Sequence, residues 1–233
     1  MLPSTKELTD QIKQIGLKNG ADIVGFVPTA LFEVQGPTGH KPTELIANAK
    51  SIIALACGRR LNEDRNYFYR WGPHYSLTYI RLKDELKEPR SKARQSIQAV
   101  KDFLVSNNFE AVTEPHGWSG ILSFKKVLEQ SGLGVIGKGD FIIHPTLGSL
   151  NTIAIILTDA ELEYGKPLDV DLCGACTLCI QACKYGAFKL QEDRWVWNGE
   201  KCRCYDLIMN PVTLKWTYGP CNSKCVNVCP IGK

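Results

Sequence analysis

Nine of the ten cysteines in this chain fall within residues 173–229, and the 172 residues before them hold only Cys57. No other feature limits the fold as strongly. A chain of 233 residues can bury its own core, so it does not need disulfides merely to fold. Residues 1–7 lack the basic-then-apolar pattern of an export signal, and Arg59-Arg60 is internal, so it is no twin-arginine signal. The expected compartment is the cytoplasm, where densely spaced cysteine reads as metal-binding or catalytic. No apolar run approaches the ~20 residues that span a bilayer, so no membrane association is expected.

The first run is Cys173-x2-Cys176-x2-Cys179-x3-Cys183. Three thiolates within seven residues can wrap one face of an iron–sulfur cube. The fourth lies a helical turn further on and points to another cluster, as in the bacterial ferredoxin run. Lys184 follows where that run has proline; proline shapes the chain but ligates nothing. The second run, Cys221-x3-Cys225-x3-Cys229-Pro230, supplies three more thiolates. Two four-iron clusters with cysteine ligands need eight, and Cys202 or Cys204 supplies the eighth. Crossed ligation predicts Cys173, Cys176, Cys179 and Cys229 on one cluster. It predicts Cys183, Cys202 (or Cys204), Cys221 and Cys225 on the other. Structural zinc prefers two separated cysteine pairs and fits three near-adjacent ligands poorly. Cys57 ends an apolar run and reads as a small core hydrophobe.

The chain as a whole is ordinary globular material, 44% hydrophobic and 22% charged, and its net charge of +4 is too mild to imply nucleic acid. Ser4-Thr5-Lys6-Glu7 forms a capping box, with Leu8, Ile12 and Ile15 at helical spacing and Gly20 as the stop. Strands are expected at 21–27, 51–57, 109–113 and 151–158. Helices are expected at 42–50, at 76–105 with a break at Pro89, and at 123–130. Residues 59–75 read as a long connection. This alternation predicts an α+β or α/β domain with a covered, sandwich-like architecture over residues 1–165. A small bacterial-ferredoxin-like double-cluster domain follows over 166–233, the boundary lying in the polar stretch 161–171.

Gly132, Gly134 and Gly137 match G-x-G-x-x-G, but they follow a helix rather than a strand. Gly132-x4-Gly137-Lys138 nearly matches a phosphate-binding loop, yet Gly139 stands where the magnesium-ligating Ser or Thr belongs. The simpler reading is a turn that needs positive φ or a close backbone approach.

The segment Ser131-Gly132-Leu133-Gly134-Val135-Ile136-Gly137-Lys138 resembles the "AGLGWIGK" of the epoxyqueuosine reductases, cobalamin-dependent double-cluster enzymes related to the reductive dehalogenases. Gly148-Ser149 and the stretch 156–162 look like that family's "GS…ILTDLEL". Cys202-Arg203-Cys204-Tyr205 resembles its "CISY", which favours Cys202 as ligand. Tyr218-Gly219-Pro220-Cys221 through Cys229-Pro230 resembles its "YGCDxCQxVCP" with one residue inserted. Tyr69 to Tyr75 is a faint match to "YARGxDYH". The resemblance implies an oxidoreductase in which two [4Fe-4S] clusters feed a cobalamin held in the N-terminal domain. Ser119, Gly120, Gly134, Gly137 and Lys138 would wall the cofactor pocket. None of His40, His74, His116 and His144 sits in a D-x-H-x-x-G motif, so a cobalt without a histidine ligand is expected.

Tyr69 and Tyr75 are possible proton donors, although packing with a satisfied hydroxyl is the simpler role. The family's acidic proton donor has no aspartate counterpart in His116 to Ser123. The expected substrate is therefore an unidentified small molecule, with nucleic acid not expected. A ferredoxin- or flavodoxin-type partner would supply electrons. The competing reading is a 4Fe-4S electron-transfer protein without a corrinoid. The large N-terminal domain argues for the enzyme.

Overall fold

The first helix, α1 (Thr5–Lys18), begins where the capping box predicts. Ser4 N–H donates to Glu7 Oε2 at 2.8 Å and Glu7 N–H donates to Ser4 Oγ at 3.3 Å. The Ser4 backbone bond, then its hydroxyl, holds the Glu7 carboxyl below the usual carboxylate range. Leu8 and Ile12 form the buried stripe, and Gly20, at φ +114°, ends the turn beyond. The computed structural model describes residues 3–33, 41–58, 87–113, 122–202, 207–209, 216–218 and 224–232.

Strands β1 (Ile23–Pro28) and β2 (Ser51–Gly58) follow, then α2 (Lys87–Ser106), β3 (Ala111–Thr113) and α3 (Phe124–Gln130). A small hairpin, β4 (Val135–Ile136) and β5 (Ile142–His144), leads into the long β6 (Gly148–Thr158). The six strands form one sheet in the order β1-β2-β6-β5-β4, with β3 also on β6. Every pairing is antiparallel. Helix–strand alternation suggested a covered α/β sheet, and the sheet is covered, but it is a mixed α/β body on an antiparallel frame. Elements that alternate in sequence need not be βαβ crossovers, because the strand order decides direction.

Residues of β2 and β6 divide between two cores by strand parity. Ile52, Ala54, Ile155 and Leu157 pack with Val127 and Leu128 of α3. Ile53, Leu55 and Ile156 pack with Leu8 and Ile12 of α1 and Val100 and Leu104 of α2. Burial on both faces explains why β2 reads as an unbroken apolar run rather than an alternating one. Cys57 is buried, its Sγ 3.5 Å from Gly20 O, in keeping with a core role.

Three expectations change. The helix proposed for 42–50 is only a 3-10 turn, Pro42–Glu44. Pro89 does not break α2; it lies in the first turn, where N–H groups have no intrahelical partner to lose. The strand expected at 109–113 begins at Ala111. Residues 59–75, with Tyr69 and Tyr75, lie outside the described residues. Among the described residues no helix is long and apolar enough to cross a membrane.

The polar stretch after β6 is stitched across the body. Ser51 Oγ donates to Ala160 O at 2.6 Å, and Gly165 N–H donates to Phe26 O at 3.0 Å. Thr9 Oγ1, on α1, donates to Thr5 O at 2.7 Å and accepts Glu163 N–H at 2.9 Å. Thr9→Val should leave that N–H unpaired in a part-buried site and lower stability by about 1–3 kcal/mol. The urea midpoint should fall with the slope of the transition unchanged.

Candidate metal centre

The stitched segment delivers the chain to Asp171, whose Oδ1 accepts Cys173 N–H at 2.9 Å and Gly174 N–H at 3.0 Å. Those main-chain bonds hold the Asp171 carboxyl below the usual range, with Lys138 adding a weaker attraction. They also shape the loop for Gly174, at φ +46°. Lys138 grips the same loop twice. Its N–H reaches Cys173 Sγ at 3.4 Å, and its ammonium donates to Gly174 O.

Cys173, Cys176, Cys179 and Cys229 line one cavity of about 410 Å³, counting its open mouth. Gly139, Phe141, Ile143, Leu172 and Leu178 complete much of an otherwise apolar wall. Burial, then the neighbouring Cys173, Cys176 and Cys229, push the Cys179 thiol up to about 11. A bound metal must displace that proton. Among the described residues, no three His, Cys, Asp or Glu side chains converge tightly enough to chelate a single ion. The four thiols ring a cavity instead. Four thiols on one apolar cavity, with a backbone N–H toward one sulfur, are the donor set of a cluster in which each thiolate takes a different iron.

Cys183 and Cys225 are absent from that lining. They share an apolar cluster with Phe188, Val226, Trp195 and Trp197, which also takes in Cys179 and Phe141 from the edge of the first cavity. Helix α4 (Leu178–Gln181) carries Cys179, and Cys183 follows it; α5 (Lys224–Asn227) carries Cys225, and Cys229 follows it. Each short helix thus bears a cysteine of one set and hands on to a cysteine of the other. Ala187 N–H reaches Cys183 Sγ at 3.4 Å. Ala187 O accepts Asn198 N–H at 2.7 Å, which brings the turn carrying buried Cys202 back toward Cys183. Cys204 and Cys221 lie outside the described residues, so the choice between Cys202 and Cys204 rests on the motif alone.

The glycine-rich segment acquires a specific place. The turn between β4 and β5, closed by Gly137 N–H to Phe141 O at 3.0 Å, overhangs the thiol-lined cavity. A Cβ on Gly137 would stand 3.2 Å from Cys173 Sγ and 2.5 Å from Ile143 Cδ1; one on Gly134 would stand 2.7 Å from Ile143 O. Close backbone approach is what these glycines permit here. Gly134, Gly137 and Lys138 are thus engaged with β5 and the Cys173 loop, and Ser119 and Gly120 lie outside the described residues. Gly137→Val should crowd Cys173 and depress iron uptake, read as iron per chain after reconstitution, with far-UV circular dichroism unchanged.

Sequence reasoning missed the β4–β5 hairpin, Asp171 and Phe141. Asp171 two residues before the first cysteine is the one legible signal, since Asp commonly bonds the backbone two residues on. His144, left without a role by its sequence, accepts Thr146 and Leu147 N–H bonds at Nδ1, at 3.2 and 3.1 Å. Burial lowers its pKa.

A layered, antiparallel α/β body whose glycine turn overhangs a cysteine-rich lobe is a fold found among oxidoreductases. No family model matches the chain. Its sequence is similar to curated epoxyqueuosine reductases. That of Bacillus subtilis is 30% identical, covering 78% of this chain and 50% of its own length. That of Cellulophaga algicola is 36% identical, covering 81% and 60%. The chain thus spans about half to three-fifths of these relatives. A crystal structure of epoxyqueuosine reductase with an epoxyqueuosine-modified tRNA-Tyr stem loop has a TM-score of 0.66 at 24% identity, covering 97% of this chain and 65% of that one. A reductive dehalogenase structure has a TM-score of 0.60 at 16% identity, covering 87% and 29%. The resemblance carried by the motifs therefore extends over most of the chain and to its fold.

Proposed function

We propose that this chain is an iron–sulfur reductase of the epoxyqueuosine reductase type, with two [4Fe-4S] clusters. The convergence of Cys173, Cys176, Cys179 and Cys229 on one cavity beside the Gly137 turn carries this reading. The first cluster would take those four thiolates. The second would take Cys183, Cys202, Cys221 and Cys225. Bound clusters supply one-electron storage and transfer. The chain's own residues do the rest: Asp171 and Lys138 fix the first loop, and the hairpin's apolar face excludes water. The first set shares its cavity with Phe141 and Ile143 of the α/β body, so electrons would leave toward the body from the first cluster.

A cobalamin in the N-terminal body is part of the proposal on the strength of the relatives. No step is assigned through it. The relatives' names and the tRNA-bound structure shift the expected substrate from an unidentified small molecule toward epoxyqueuosine carried in tRNA. Nucleic acid thereby becomes a proposed partner, alongside a ferredoxin- or flavodoxin-type donor. The division proposed is a body over 1–165 and a cluster lobe over 166–233.

Anaerobic reconstitution tests this directly. About eight irons with matching sulfide per chain are expected. Hydroxocobalamin should be retained with a cobalt(II) EPR signal, and an epoxyqueuosine-containing stem loop should be converted to its queuosine form. Stoichiometric zinc without sulfide would refute the clusters. Full iron without retained corrinoid would favour the electron-transfer protein, a reading that the occupied surroundings of Gly134 and Gly137 support.

A further inference from the structure

Gly148 and Ser149, one of the stretches that carried the resemblance, take no part in either ligand set. They stand at the start of β6, where Pro145, Thr146 and Leu147 bring the chain round from β5. His144 pairs with Gly148 across this turn, and Ile143 with Ser149. His144 also shapes the turn. Its Nδ1 accepts Thr146 N–H at 3.2 Å and Leu147 N–H at 3.1 Å, and the Thr146 hydroxyl stands 3.2 Å from the same nitrogen. A side chain that accepts from the N–H groups two and three residues on is also what Asp171 provides for Cys173 and Gly174. Accepting at Nδ1 leaves the imidazole proton on Nε2, and burial favours this neutral form.

The turn receives residues 230–232 of the cysteine-rich lobe. Gly148 is buried at φ +69°, and a Cβ there would stand 2.5 Å from Ile231 O. Gly232 answers it at φ +77°. A Cβ on Gly232 would run into Gly148 N and Cα and stand 2.6 Å from the carbonyl carbon of Leu147. Two backbones thus lie against each other with both glycines in the left-handed region, and no side chain fits at the crossing. Cys229 precedes this crossing directly. Pro230 and Ile231, between Cys229 and Gly232, line the thiol cavity together with Ile143 of β5. On its other side Cys229 N–H donates to Val226 O of α5 at 3.2 Å.

We propose that His144 and Gly148 are positioning residues for Cys229: the turn they build is the seat that holds this thiolate in the first cluster's cavity. The inference rests on the cluster reading above. Cys173, Cys176 and Cys179 come from one run, whose loop is fixed by Asp171 and Lys138. Cys229 reaches the same cavity from a separate run and needs a restraint of its own. The seat belongs to the α/β body, so a turn of the body completes a metal centre whose ligands all lie in the lobe. Loosening it should free one ligand of the first set and leave the second set, which does not use Cys229, intact. Groups that orient a ligand without touching the metal commonly set affinity by roughly ten- to a hundredfold.

The test uses the full chain, reconstituted anaerobically, and follows both reduced-cluster EPR signals in the presence of an iron(II) chelator. Cys229→Ser marks which signal belongs to the first cluster. His144→Leu, which fills the space without an acceptor, should lose that signal about tenfold faster than wild type, and so should Gly148→Ala. His144→Asn, whose Oδ1 can stand in for Nδ1, should stay within about twofold of wild type. Decay of the second signal should be unchanged in all three, as should far-UV circular dichroism. Equal acceleration of both signals would report general loss of stability and refutes the seat. First-cluster decay unchanged in both His144→Leu and Gly148→Ala refutes it too. Decay as fast in His144→Asn as in His144→Leu overturns the role given to the His144 acceptor. Failure of the unmodified chain to bind iron instead overturns the cluster reading, and the seat with it.

Discussion

Cys229→Ser is expected to remove the same cluster as Cys173→Ser, although the two lie at opposite ends of the cysteine-rich segment. Iron should fall from about eight to about four per chain, and one of the two reduced-cluster EPR signals should vanish. Cys183→Ser and Cys225→Ser should remove the other signal. The expectation comes from geometry: Cys229 lines the cavity with Cys173, Cys176 and Cys179, a lining from which Cys183 and its near neighbour in sequence, Cys225, are absent. If Cys229→Ser instead reproduced the Cys225→Ser spectrum, ligation would follow sequence order and crossing would be wrong. Each serine variant keeps the size of the side chain it replaces, so the cavity wall should survive even where the cluster does not.

Gly132→Ala should be the most damaging single change outside the cysteines. Gly132 has φ +74°, where any side chain is strained, and an added Cβ would run into the carbonyl of Lys166. Ser131 O stands equally close to Gly165, so two backbone segments cross here without room for a methyl group. Neither can retreat easily, because Gly165 N–H is bonded to Phe26 O of β1. Strain and overpacking together should cost on the order of 3 kcal/mol. The measurement is the urea midpoint of the metal-free chain, with iron uptake as a second readout. Gly186→Asn is the control. Its φ is +58°, but nothing lies within 4 Å of an added Cβ, and Asn tolerates this conformation. It should lose well under 1 kcal/mol.

These two predictions divide along the line between what was legible and what was not. Cysteine chemistry is local in sequence: the x2, x2, x3 spacing already declares three ligands for one cluster and a fourth for another. The capping box at Ser4 and Glu7 and the stripe of Leu8 and Ile12 are local too, and α1 formed where they indicate. The motifs around 131–138 and 173–230 carried the family resemblance for the same reason. Less legible was the β4–β5 hairpin, whose strands of two and three residues are too short for a period-two pattern to register. The antiparallel sheet escaped as well, since strand direction depends on which strands become neighbours, and β6 finds β2 and β3 from distant parts of the chain.

By itself the amino-acid order determined the candidate ligands: seven cysteines in two runs, an eighth from Cys202 or Cys204, and the crossing that the runs imply. Ligand spacing along a few residues is set by bond lengths and one helical turn, and needs no tertiary context. Only the folded chain decided what stands around those thiolates. The glycine turn reaches the cavity because β4, β5 and the stitched segment after β6 pack without side chains between them. The crossing of Gly132 with Lys166, and of Ser131 with Gly165, is a contact between segments far apart in the chain, made by packing that no local spacing encodes.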